Sequence, residues 1–200
     1  MYRPDTAVWI TLEVPLTMET FVEKIYVEEL ITQCTWAIAA VARMNDILES
    51  NEQGRPQLFF RQAVELLQHS ALASKLLWPP GGSIAFKNKR AKARGQHLRG
   101  VLQMPELHVL KSRSLRDHFE HYDERLDDWV ANSPNRIFVD DVIGPRAWVG
   151  GVQDHEIFKL YDPQTKTLLF RGEPFDIQAL VDGLSDVQKR AQTRLQALKK

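Results

Sequence analysis

The chain has 200 residues, with 26 basic and 26 acidic side chains and a formal net charge of zero. That balance excludes long-range capture of nucleic acid or anionic membrane by the molecule as a whole and leaves such contacts to local patches. One cysteine, Cys34, excludes an internal disulfide and a multi-cysteine zinc site. Set among apolar-periodic residues, it reads as a small buried hydrophobe, with a nucleophile as the other reading. No apolar run approaches the ~18 residues of a membrane span. The stretch MYRPDTAVWITLEV lacks the basic-then-apolar pattern of a signal peptide. The expectation is a cytoplasmic protein with no membrane partner.

Residues 1–17 carry Pro4 and Pro15 and no helical period; Ala7 to Val14 suits a short strand or an extended arm. A helix is predicted from about Thr17 to Glu49, with Glu19 and Glu23 at the positive end of its dipole. Phe21, Ile25, Ile31, Cys34, Ile38, Val41, Met44 and Leu48 mark its expected inner face. A turn at Gly54 follows, and Pro56 suits the first position of a second helix. That helix should bury Phe60, Ala63, Val64, Leu67, Ala71, Ser74 and Leu77, and the run Trp78 to Gly82, WPPGG, stops it.

A third helix is predicted over about Ile84 to Gln103. Gly95 and Gly100 lie inside it, each costing about 1 kcal/mol relative to Ala. It concentrates positive charge in Lys87, Lys89, Arg90, Lys92 and Arg94, with Arg99 following. Those five residues are the candidate RNA-phosphate contacts; the alternative is a solvated surface, and no stacking aromatics interleave them. The fourth helix, within Leu107 to Val130, is the most strongly patterned stretch. Leu115, Phe119, Tyr122, Leu126 and Trp129 recur at steps of four and three, while Arg116, Asp117, Glu120, His121, Glu124, Arg125 and Asp128 form the polar side.

After Ser133-Pro134-Asn135 the pattern changes to β-branched residues. Glu156 to Tyr161 and Thr167 to Arg171 flank Asp162-Pro163-Gln164-Thr165-Lys166, a predicted hairpin. A last helix from about Pro174 to Leu198 carries one apolar stripe, which must pack on the bundle or on another copy. The expected architecture is mainly α. Residues 1–134 form an up-and-down four-helix bundle with an N-terminal arm. Residues 135–200 add a small β-hairpin segment and a packing helix.

On the fourth helix Asp117 and His121 lie one turn apart on one face, so that Asp117 would fix the tautomer of His121. Arg116 lies about 140° away on the helical wheel. A tight site therefore needs two copies of the helix facing each other across a two-fold axis. In RNA cleavage a histidine takes the proton of the 2′-hydroxyl or supplies one to the leaving 5′-oxygen. An arginine binds the non-bridging oxygens as charge builds there, and neither metal nor cofactor is required.

Arg116-Asp117-x-x-x-His121, near the start of a late bundle helix, resembles the signature of HEPN-domain proteins, over roughly residues 18–132. The resemblance implies a helical bundle that dimerises through the motif helix. It implies RNA binding and metal-independent endoribonuclease chemistry of the kind found in toxin–antitoxin, antiphage and RNA-processing systems. It makes Arg116 and His121 the catalytic pair and Asp117 the polar member. Members that have lost activity act as partners or antitoxins, so a catalytically silent interaction module paired with another protein is the alternative. A third reading is a metal site drawn from Asp117, His118, His121 and Glu124, with His69 and His97 on other helices. The acidic run Asp123, Glu124, Asp127 and Asp128 reads as ion-paired surface.

Overall fold

The computed structural model describes residues 18–51, 53–80, 85–112, 114, 117, 121–133 and 135–199, without the side chains of 85–88. The expected N-terminal strand or arm lies outside these residues. A first helix, α1, runs from Thr20 to Glu49, and its 30 residues make a rod of about 45 Å. Its buried stripe is Glu23, Val27, Leu30, Gln33, Cys34, Ala37, Ala40 and Met44. The helix is where the spacing puts it, with Cys34 and Met44 buried and Ile31, Ile38, Val41 and Leu48 packed against the core, but its first turns face otherwise: Phe21 is 72% exposed and Ile25 49%. The physical reason is Glu23, which turns inward because Arg194 and His97 meet it there, and carries Phe21 and Ile25 out to solvent.

The second helix, α2, spans Arg55–Leu77, entered through Gly54 at φ +76 with Pro56 in the first turn. It packs antiparallel on α1: Arg43 reaches Gln62 and Glu65, while Gln33 reaches His69. Phe59, Phe60, Ala63, Leu66, Leu67, Ala71 and Leu77 fill the seam. The third helix, α3, covers Ala85–Val101 and crosses the end of α2. Gly95 makes that crossing close, since a Cβ there would lie 2.6 Å from the Leu77 carbonyl oxygen.

After a 3-10 turn at Val109–Lys111, the helix α4 runs over Tyr122–Asn132, with Ser114 and Asp117 helical ahead of it. None of its residues is fully buried. It rests on the aromatic face of the sheet, where Trp129 meets Phe138 and Phe158, and Tyr122 meets Phe158 and Phe170.

The β segment is larger than a hairpin. Strands β1 (Val142–Ile143), β2 (Leu160–Asp162), β3 (Thr167–Phe170) and β4 (Glu173–Asp176) form one mixed sheet in that order. β1 is parallel to β2 and the other pairs are antiparallel, with Leu160 opposite Leu169 and Leu168 opposite Phe175. Pro174, expected to open the last helix, belongs to β4, and the helix α5 begins at Ile177 and ends at Ala197. Asp176 caps it by accepting the Ala179 N–H at 2.9 Å. α5 lies antiparallel on α1 through Glu23–Arg194 and Thr35–Gln188. One apolar cluster runs through all of this, from Val27 and Leu66 to Leu168, Leu184 and Val187. The structure is thus mainly helical with a small mixed sheet. Among the described residues, no helix is long and apolar enough to cross a membrane.

Candidate functional site

The sequence-predicted site is built at the entrance to α4. The His121 N–H donates to the Asp117 carbonyl at 3.1 Å, and the Arg125 N–H donates to the His121 carbonyl at 3.1 Å. A helical turn therefore separates Asp117 from His121, as the spacing predicts. The His121 side chain is 51% exposed, and its Nδ1 lies 3.1 Å from Glu124 Oε1. A carboxylate at that distance favours the proton on Nδ1, and among the described residues Nε2 meets no hydrogen-bond partner, the arrangement an acid–base histidine needs. Sequence reasoning gave this orienting role to Asp117 and read Glu124 as ion-paired surface or a metal ligand, although an i,i+3 pair was there to read. Arg116 and His118 lie outside the described residues.

The surrounding acids are partly neutralised. Asp128 meets Arg171 Nη2 at 2.7 Å and Asn132 Nδ2 at 2.7 Å, and the Arg171 hydrogen bond in particular holds its carboxyl below the usual range. Arg171 also donates to the Arg125 carbonyl at 3.2 Å, tying β3's end to α4. Asp123 and Asp127 are exposed.

The basic residues of α3 divide into two groups. Lys89, Arg90 and Lys92 are exposed. Arg94 instead folds back on α2, donating to the Lys75 and Leu76 carbonyls at 3.1 and 3.4 Å, with its guanidinium over the Tyr26 ring at 5.4 Å. It satisfies carbonyls at a helix C-terminus, a structural task. The Lys87 side chain is outside the described residues. The other histidines are dispersed: His69 Nδ1 lies 2.8 Å from Gln33 Oε1, and His97 Nε2 lies 2.7 Å from Glu23 Oε2. Among the described residues no three His, Cys, Asp or Glu side chains converge as a metal site would require. Cys34 is fully buried, and burial pushes its thiol up to about 12, so it stays an inert thiol.

One polar cluster escaped the sequence reading. Lys159 Nζ lies 3.3 Å from Asp140 and 2.9 Å from Asp141, and 5.5 and 5.4 Å from the ring centroids of Phe60 and Tyr122. Burial pushes the Asp140 carboxyl above its usual range, and the Lys159 charge only partly offsets that. Burial, with the Asp140 charge beside it, also raises the Tyr122 hydroxyl, which donates to Asp140 at 3.4 Å. Asp141 sits at φ +54, a conformation Asp tolerates better than most residues. The only hint in the sequence was an acidic pair inside a β-branched run, Val139 to Ile143. With its space filled by Phe60 and Tyr122, the cluster is a joint between α2, the sheet and the first residue of α4.

No protein-family model matches this chain, and neither does any curated protein or solved structure.

Proposed function

We propose that this chain is an RNA-binding protein whose α4 entrance is a HEPN-type, metal-independent endoribonuclease site completed by a second copy. The observation that carries the reading is His121: exposed at a helix entrance, with Nδ1 on the Glu124 carboxylate. In the proposed reaction one His121 takes the proton of a 2′-hydroxyl, whose oxygen attacks phosphorus. The bond to the 5′-oxygen breaks, and the His121 of the second copy protonates that oxygen, leaving a 2′,3′-cyclic phosphate. Arg116 binds the non-bridging oxygens. Asp117 belongs to the turn that presents His121. Exposed Lys89, Arg90 and Lys92 supply phosphate contacts away from the reacting bond. In this reading the homodimer forms through the motif helix. The test is cleavage of mixed-sequence RNA in EDTA by the wild type and by His121→Ala, with dimerisation measured alongside. Cutting that disappears in the variant while the dimer persists supports the site; cutting that survives removes it.

A second reading, a catalytically silent interaction module, draws on a different observation. Phe21, Ile25 and Trp36 are each about half exposed or more and share the outward face of α1. Trp36 packs against His69 at 5.2 Å, which keeps its ring ordered at the surface. Trp36→Glu should then abolish association with a partner protein, and the wild type should cut no RNA.

A further inference from the structure

The α4 site leaves unused a cavity of about 200 Å³ between α2, the 109–112 turn and the β4–α5 corner. We infer that this cavity is a binding site for a small, uncharged, largely apolar molecule of one to two aromatic rings that carries an N–H or O–H donor. The size follows from comparison: an engineered apolar cavity of ~150 Å³ takes benzene.

The space is held open by anchored walls. On α2 the lining residues are Leu67, Ser70, Ala71 and Ser74, and the last three are too small to fill it. Ser74 Oγ donates to the Leu110 carbonyl at 2.6 Å, and the Leu110 N–H donates to His108 Nδ1 at 3.2 Å, so the turn is fixed to α2 and to itself. His108 stacks on Trp78 at 5.4 Å. Gly183 lets the turn sit against α5, since a Cβ there would lie 2.2 Å from Val109 Cγ1. The third wall is Phe175, whose strand pairs with β3, and Leu180 beyond the capped start of α5. A preformed, mostly apolar concavity with a few convergent polar atoms has the features of a small-molecule site.

The polar atoms decide the ligand's chemistry. Ser70 Oγ has given its proton to the Leu66 carbonyl at 2.6 Å, and Ser74 has given its proton to Leu110. The Ser70 and Ser74 hydroxyls therefore offer only acceptor capacity, while the Ser112 and Ser114 hydroxyls, also in the lining, bond to each other at 3.2 Å. Asp176 is the one charged residue among the described lining, and its carboxylate disfavours an anion. A neutral aromatic donor meets all of these conditions.

The test uses the full chain, with indole as probe and indole-3-carboxylate as its anionic counterpart, followed by amide and methyl NMR. The expected result is saturable binding of indole at millimolar concentration. Shifts should be confined to residues 67–74, 109–114 and 174–180, with nuclear Overhauser contacts to the Phe175 ring and the Leu180 methyls. Indole-3-carboxylate should bind at least tenfold more weakly. Ala71→Leu, which fills the space, should lose the indole shifts while keeping the wild-type melting profile. If that variant does not fold, the contacts to Phe175 and Leu180 decide alone. Absence of saturable binding, equal binding of the anion, or contacts elsewhere would overturn the assignment. So would indole binding that weakens as protein concentration rises, because a second copy would then be the occupant.

Discussion

Arg194 Nε donates to Glu23 Oε1 across 2.6 Å, joining residues 171 positions apart and closing the last helix onto the first. His97 Nε2 reaches the other oxygen of the same carboxylate at 2.7 Å, so three helices converge on one acid whose side chain is only 4% exposed. Burial alone would raise the Glu23 carboxyl, but the Arg194 and His97 hydrogen bonds and charges outweigh it and bring the group below its usual range. Glu23→Gln leaves a guanidinium without its counter-charge. Removing one partner of a buried pair costs ~3–5 kcal/mol. Arg194 is a third exposed and can reach water, so the expected loss is smaller, about 2 kcal/mol. A depressed folded-state value stabilises the protein above the unfolded value of about 4.3 and is lost as pH falls through the folded one. Urea unfolding should therefore separate variant from wild type at pH 7 and bring them together in strong acid; an equal gap at both would contradict the assignment.

Asp140 has the opposite sign. Its folded-state value is raised, so its contribution is full below about pH 3.9 and is lost as pH rises through the folded value. At neutral pH the ionised, half-buried carboxylate is a cost. Asp140→Asn removes it while Lys159 keeps Asp141 at 2.9 Å. The variant should melt about 2–4 °C higher at pH 7, a gain on the order of 1 kcal/mol, and the advantage should vanish in acid. Differential scanning calorimetry at both pH values reads this directly, and a lower melting temperature at pH 7 would mean the Asp140–Lys159 pair is net favourable.

The two glycines of α3 look alike in the sequence and should behave differently. A Cβ on Gly95 meets the Leu77 carbonyl oxygen at 2.6 Å and Pro79 Cδ at 2.7 Å, whereas nothing lies within 4 Å of one on Gly100. Gly100→Ala should stabilise the protein by about 1 kcal/mol through helix propensity alone. Gly95→Ala gains the same propensity but must separate α2 from α3, and a net loss of about 1–3 kcal/mol is expected. Chemical denaturation of both variants checks the contrast; equal effects would deny the close crossing.

These three cases mark where sequence reading stops. Helix positions were legible because their punctuation is local: Gly54-Arg55-Pro56 opens α2 and Trp78-Pro79-Pro80 closes it. The face that the first turns of α1 bury was not legible, since Phe21 and Ile25 keep the apolar spacing and the winning residue, Glu23, is buried only because of partners 74 and 171 positions away. Pro174 and Asp176 both signal a helix start. The aspartate prevailed because Phe175 pairs with Leu168 in the sheet, which extends the chain through Pro174. At the candidate site the one-turn spacing of Asp117 and His121 is local and was read. The Lys159 cluster draws on four separate segments, and no spacing rule reaches that far.

The His121–Glu124 pair separates a stability effect from a catalytic one. Both side chains are at least half exposed, so the pair contributes well under about 1 kcal/mol to folding. Its work, if the ribonuclease reading holds, is to keep the proton on Nδ1 and support the charged ring when Nε2 takes a proton. Glu124→Gln retains the size and an acceptor oxygen but not the charge, and should slow RNA cleavage by roughly tenfold with no change in melting temperature or dimerisation. Glu124→Asp, one carbon shorter, should recover part of the rate. Single-turnover cleavage in EDTA across pH 5–9 gives the readout. A rate unchanged in Glu124→Gln would leave His121 without an orienting acid on its own helix and transfer that role to Asp117, where Asp117→Asn should then produce the tenfold loss instead.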